Sequence, residues 1–216
     1  MAEFSESEKK LILKIVYYGP ALSGKTTNLI WLHNSISPEK SGELMSLDTK
    51  GDRTLFFDLL PIAVKTQSNF MVKFKLFTVP GQVAHDATRK AVLSRADGVV
   101  FVADSQKNQA VNNNQSFENL ENNAQRTGLD FDTLPLVVQF NKRDLDGIER
   151  EEDINQLWGG SGIPVVFSSA ISGKGVAETF RKIVTLTYEN LDSIYSLNAK
   201  YNINLESFLS IIDGES

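Results

Sequence analysis

The chain has 216 residues, 41% hydrophobic and 23% charged, enough for one domain with a buried core and an appended element. Its net charge of −5 argues against broad attraction to nucleic acid or anionic lipid. The absence of cysteine excludes disulfides, thiolate metal sites, a thiol nucleophile, prenylation and palmitoylation.

The first ten residues, MAEFSESEKK, have no apolar signal core and are expected to form a flexible, solvated tail. Ala2 stands where myristoylation would need a glycine. No apolar run approaches the ~20 residues that cross a bilayer, so no integral membrane segment is expected and a cytoplasmic location is.

From there, short β-branched runs alternate with helically spaced stretches, the pattern of an α/β fold with a mostly parallel sheet of six or seven strands flanked by helices. Strands are predicted at 11–18, 54–64, 71–79, 98–105, 134–142 and 163–170, and helices at 25–36, 84–95, 115–127, 151–158 and 174–192. GVVFVADS (98–105) and LPLVVQFNK (134–142) are nearly all apolar, as strands covered on both faces should be. MVKFKLFTV (71–79) alternates and should have one wetter face. The Asn/Gln-rich stretch 106–115 reads as a polar loop or helix start. From Ile194, apolar residues recur at Leu197, Tyr201, Leu205, Phe208, Leu209 and Ile212, predicting a further helix that packs either on the domain or on a partner. The expected division is a domain over 11–192 and a helical extension over 193–216. His33 and His85 stand alone and read as surface or helix residues rather than ligands.

GPALSGKT (19–26) fits G-x-x-x-x-G-K-[ST] between a predicted strand and a predicted helix, the context that a phosphate-binding loop requires. Gly19 and Gly24 let the backbone curl so that successive N–H groups can face phosphate oxygens. Lys25 supplies a cation to the β- and γ-phosphates, and Thr26 offers a hydroxyl to Mg²⁺. Pro20, Ala21, Leu22, Ser23 and Thr27 complete the segment expected to line the nucleotide. This motif points to a triphosphate without choosing its base.

FNKRD (140–144) addresses the base. The Asp144 carboxylate can accept from the N1–H and exocyclic amine of guanine, a donor pair that adenine lacks on that edge. Lys142 can lie along the ring, and Asn141 can tie this loop back to the phosphate loop. In SSAIS (168–172), a Ser169–Ala170 turn is expected to aim a backbone N–H at the base carbonyl.

With these segments in order, the chain resembles the Ras-like small GTPases over roughly residues 10–192. Within them it is similar to the bacterial MglA family, on the stretches KIVYYGP, SGKTTNL, DRTLFFDLLP, TVPGQ, DGVVFVADSQ and NKRDL. The resemblance implies a P-loop G domain that switches between GTP and GDP and sets cell polarity in bacterial motility. It also implies recruitment to a cell pole, a roadblock-type (MglB-like) activator, effectors on the switch face, and a nucleotide-bound monomer. By position, Gly81 would donate its N–H to the γ-phosphate and Gln82 would orient the attacking water. Thr54 would complete Mg²⁺ coordination beside Thr26, and Arg53 would be an arginine finger supplied by the same chain.

Two departures qualify this. Ras-like proteins open the second switch with an aspartate that holds a magnesium-bound water, where this chain has Thr78; Asp104 or Asp58 is a candidate substitute. Ala21 replaces the usual glycine and crowds the space used by the glutamine and arginine. Slow, activator-dependent hydrolysis is therefore expected. A GTP-binding interaction module with negligible hydrolysis is the competing reading, and a P-loop kinase a third that NKRD argues against.

Overall fold

The computed structural model describes residues 2–47, 57–81 and 85–212. Its N-terminal segment is not the expected tail: Glu3–Ser5 (β1) pairs antiparallel with Lys10–Tyr18 (β2). The anchor is Phe4, whose ring meets Phe70, Tyr195 and Tyr201 at centroid separations of 5.9, 5.4 and 4.9 Å. One buried-side aromatic in a three-residue strand is too short a pattern for alternation to announce.

The remaining described strands are β3 (Met45–Leu47), β4 (Phe57–Lys65), β5 (Met71–Thr78), β6 (Gly98–Asp104), β7 (Leu136–Asn141) and β8 (Val165–Phe167). They lie in the order β3-β4-β5-β2-β6-β7-β8, with β1 added at the side of β2. Eight strands among the described residues exceed the six or seven expected, and the surplus is the three-residue pieces β1 and β3. β2 runs parallel to β5 and β6, as do β6 to β7 and β7 to β8, whereas β4 is antiparallel to β3 and β5. β6 and β7 are buried at every position, and β5 alternates, as their compositions predicted.

Helices α1 (Lys25–Ser35) and α5 (Val176–Tyr195) cover one face of the sheet, around Tyr17, Phe74, Val100 and Phe180. Helices α2 (Asp86–Leu93), α3 (Ala110–Thr127) and α4 (Glu151–Trp158) cover the other, around Tyr18, Phe101 and Leu120. The Asn/Gln-rich stretch becomes a short 3-10 turn at Lys107–Gln109 that runs into α3.

The C-terminal stripe is two short helices instead of one. α5 stops at Ser196 and α6 (Leu197–Tyr201) at Asn202, both left-handed at φ 56° and 53°, and α7 (Leu205–Leu209) follows. The Asn204 side chain caps α7 by accepting from the Ser207 N–H. The stripe docks inwards: Leu197, Ile203, Phe208 and Ile211 are buried, and Phe208 meets Phe74 at 5.7 Å and Tyr188 at 5.0 Å edge-to-face. Burial of one such ring contributes roughly 2–3 kcal/mol. No helix among the described residues is long and apolar enough to cross a membrane.

The topology has one consequence for chemistry. Because β2, β5, β6, β7 and β8 are mutually parallel, the loops that leave their carboxyl ends gather on one edge of the sheet, the usual place for a ligand in such a fold.

Candidate functional site

The loop after β2 turns through Gly19 (φ 143°), Leu22 (φ 61°) and Gly24 (φ 98°) before α1 begins. A Cβ on Gly19 would lie 2.2 Å from the Val102 carbonyl oxygen, and one on Gly24 2.2 Å from Asn141 Nδ2. Only glycine lets the loop sit this close to β6 and to the loop after β7. Helix α1 has no side-chain cap and no acidic residue in its first turn, so its leading N–H groups and its dipole are left for an anion. Lys25 is buried, with Nζ donating to the carbonyls of Gly19 (3.1 Å) and Pro20 (2.6 Å). Burial first, and then the neighbouring Arg89 charge, push its ammonium down to about 7, against an opposing pull from Asp58.

The loop after β7 is fastened to this one. Asn141 Nδ2 donates to the Ser23 carbonyl at 2.8 Å, as its place in the sequence suggested. Asn141 Oδ1 accepts from the Ser168 hydroxyl at 3.0 Å and the Ala170 N–H at 2.9 Å. The Ser169 N–H donates to the Lys174 carbonyl, and the Ser169 hydroxyl to Asp144 Oδ1 at 2.5 Å. Both N–H groups of the Ser169–Ala170 turn are thus used inside the protein. The turn braces Asn141 and Asp144 where an outward-facing donor was expected, because the Asn141 amide competes for the Ala170 N–H. Lys142 sits at φ 67° with its ammonium 2.7 Å from Asp104 Oδ2.

At the opposite end, a carboxylate stands under three hydroxyls. Asp58 Oδ2 accepts from Thr26 Oγ1 at 2.5 Å and from Thr78 Oγ1 at 2.9 Å, and Asp58 Oδ1 accepts from Ser46 Oγ at 2.8 Å. The Asp58 N–H donates to Thr78 Oγ1 at 2.8 Å. Of the two candidate substitutes for the missing switch aspartate, Asp104 is committed to Lys142 and Gln106, and Asp58 alone reaches Thr26.

Between these ends lies a cavity of about 650 Å³, lined by Ala21, Leu22, Gly24–Thr27, Asp58, Thr78 and Gly81, with Ser46, Phe57 and His85 on its rim and walls. Asn141, Lys142, Asp144, Ser169 and Ala170 lie outside that wall and join it through the Asn141–Ser23 bond. Gly81 rests on the phosphate loop so closely that a Cβ there would be 2.2 Å from Ala21 Cα. His85, read from sequence as an unconnected surface or helix residue, starts α2 at the cavity wall. Arg89, also missed, lies wholly buried over the Tyr18 ring at 4.5 Å and donates to Ser116 Oγ at 2.7 Å. A charge at an inward position of α2 was the available signal. Arg53, Thr54 and Gln82 lie outside the described residues.

The residues present suit a phosphate-bearing ligand and a hard cation. The glycine positions admit no side chain, a lysine and an uncapped helix start face the loop, and the Thr26 hydroxyl and Asp58 carboxylate are oxygen donors of the kind magnesium takes.

The model of the ADP-ribosylation factor family matches residues 2–187. The chain is also 43% identical to the mutual gliding-motility protein MglA of Myxococcus xanthus (strain DK1622) over 191 residues, covering 88% of this chain and 98% of that one. The chain therefore belongs to the ADP-ribosylation factor family of Ras-like small GTPases, which are GTP hydrolases.

Proposed function

We propose that this protein is an MglA-type switch that binds GTP with Mg²⁺, hydrolyses it slowly to GDP and phosphate, and serves bacterial cell polarity in gliding motility. The observation that carries the reading is the Asn141 side chain, which joins the phosphate loop, the NKRD loop and the Ser168–Ala170 turn in one bonded unit. In that unit Gly19–Thr27 take the phosphates, and Asp144 takes the base, held in place by Ser169. Lys142 lies beside the ring, and Ala170 supports Asn141. Gly81 offers its N–H to the terminal phosphate, Gln82 aligns the water, and Thr54 and Arg53 join the site from the first switch. Thr26 and Thr54 would hold Mg²⁺, which would supply positive charge to offset the negative charge that develops during phosphoryl transfer.

Recruitment to a pole in the cytoplasm, a roadblock-type activator and effectors on the switch face belong to the same proposal, which rests on the likeness to MglA of Myxococcus xanthus. Turnover measured with GTP and ATP in parallel, with and without a roadblock-type partner, tests it. GTP alone should turn over, slowly, and at least tenfold faster with the partner. Equal ATP turnover would remove the guanine assignment, and no acceleration would remove the activator.

The depressed Lys25 pKa gives a second test. At pH 8 an ammonium with a pKa of about 7 is mostly neutral, and a triphosphate beside it draws the pKa back up. Binding at pH 8 is therefore expected to take up close to one proton, and at pH 6, where Lys25 is already charged, none. Calorimetry in two buffers of different ionisation heat reads this directly; equal uptake at both pH values would mean that Lys25 is charged throughout. The unliganded fold should likewise gain stability as pH rises from about 7 towards the unfolded value of 10.5, because the unfolded chain holds that proton more tightly across this window.

A further inference from the structure

We propose that Asp58 is the positioning carboxylate of the cation site, supplying from β4 what Thr78 does not supply from β5. The proposal rests on the nucleotide reading above and extends it to a residue that the phosphate-loop and switch motifs leave without a role.

Strand β4 buries alternate residues, Asp58, Leu60, Ile62 and Val64, so Asp58 heads an otherwise apolar inward row. A carboxylate in such a row is costly unless its charge is used. The antiparallel register pairs Leu59 with Phe77, and one step further Asp58 and Thr78 meet through two hydrogen bonds. The Thr78 hydroxyl accepts from the Asp58 N–H and donates to its carboxylate, which consumes its proton and fixes the carboxylate's direction. Ser46 fixes the other oxygen from β3.

The decisive bond is to Thr26. A threonine hydroxyl that ligates a cation must direct lone pairs at the metal and send its proton elsewhere. Here the proton has a destination, Asp58 Oδ2 at 2.5 Å, and the oxygen's lone pairs are left for the cavity that Thr26 lines. A carboxylate has about four acceptor sites. Three are taken by Thr26, Thr78 and Ser46, which leaves one on Oδ1 for a further donor such as a metal-bound water. Asp58 thus orients the ligating hydroxyl and adds negative charge beside the metal position, the two things a switch aspartate would do.

The test uses the full chain loaded with a fluorescent guanosine diphosphate, whose release is followed as free Mg²⁺ is titrated from a chelated baseline into the millimolar range. Asp58→Asn keeps the shape and loses the charge. It is expected to raise the Mg²⁺ concentration at the half-effect about 10- to 100-fold, while release in chelator stays within about threefold of the original, because no metal is held there. Adding Thr78→Asp to Asp58→Asn should recover at least part of the lost Mg²⁺ sensitivity. A purely structural role would lower the thermal midpoint and speed release in chelator without moving the half-effect concentration. That result, or an unchanged half-effect in a folded Asp58→Asn protein, overturns the proposal. Should Asp58→Asn not fold, Asp58→Glu is read by the same shift, since it displaces the charge by one methylene. A starting chain that holds no guanine nucleotide at any Mg²⁺ concentration would overturn the nucleotide reading as well, and so is told apart from failure of Asp58 alone.

Discussion

Asp144→Asn is expected to weaken GTP binding about a thousandfold, roughly 4 kcal/mol, and to improve binding of xanthosine triphosphate at the same time. In the native site Asp144 Oδ1 already accepts from the Ser169 hydroxyl. An asparagine keeps that bond through its own oxygen, which turns the amide nitrogen towards the base. Guanine presents two donors on that edge, so donor meets donor and two buried N–H groups lose their acceptor, at about 1–3 kcal/mol each before repulsion is counted. Xanthine replaces the exocyclic amine with a carbonyl, which the amide can serve. Competition between GTP and xanthosine triphosphate for a fluorescent nucleotide measures both halves. GTP affinity within tenfold of the original would mean that Asp144 does not read the base. Ser169→Ala, which frees the carboxylate to rotate, should cause a smaller loss of GTP affinity and no gain of xanthosine triphosphate.

The parts of this site that were legible in the sequence are those encoded by local spacing. The glycine-bounded loop and NKRD each occupy a few consecutive residues after an apolar run, and β6 and β7 are buried throughout and mostly apolar because both faces are covered. What could not be read depends on register. That Asp58 meets Thr26, Thr78 and Ser46 follows from how β3, β4 and β5 slide past one another, and a one-residue slip would send the carboxylate to the opposite face. The commitment of Asp104 to Lys142 likewise follows from the pairing of β6 with β7, which sets Asp104 beside Asn141. The turn at Ser169–Ala170 misled because spacing identifies a turn but not which acceptor wins its N–H groups.

In the fold, the apolar stripe after Ile194 was visible and its breaks were not. Ser196 and Asn202 end helices in left-handed conformations that neither glycine nor proline announces. At the other end, a three-residue strand carries too few positions for periodicity, and Phe4 is explained only by Phe70, Tyr195 and Tyr201 arriving from elsewhere in the chain.

Gly81→Ala is expected to slow GTP hydrolysis about a hundredfold while leaving affinity for GDP within a few-fold. A Cβ on Gly81 would fall 2.2 Å from Ala21 Cα, 2.5 Å from Ala21 N and 2.9 Å from the Pro20 carbonyl carbon. All three neighbours are main-chain atoms, so no side chain can swing aside, and the segment must retreat from the phosphate loop. Gln82 follows Gly81 directly in the sequence; if it orients the water as proposed, a shift of ~1 Å there would cost about a hundredfold in rate. Guanosine diphosphate lacks the γ-phosphate that Gly81 is proposed to meet, which is why its binding should survive. Ala21→Gly probes the same contact from the other side: removing the methyl group widens the space between loop and switch, and hydrolysis should rise several-fold. Single-turnover measurements on both variants, alone and with a roadblock-type partner, separate two origins of slow hydrolysis. If Ala21→Gly raises the unassisted rate and shrinks the partner's acceleration, the partner works by closing the switch against this crowding. If Ala21→Gly leaves the rate unchanged while Gly81→Ala abolishes it, contact with the loop is essential but the methyl group is harmless. The slow step then has its origin outside this contact.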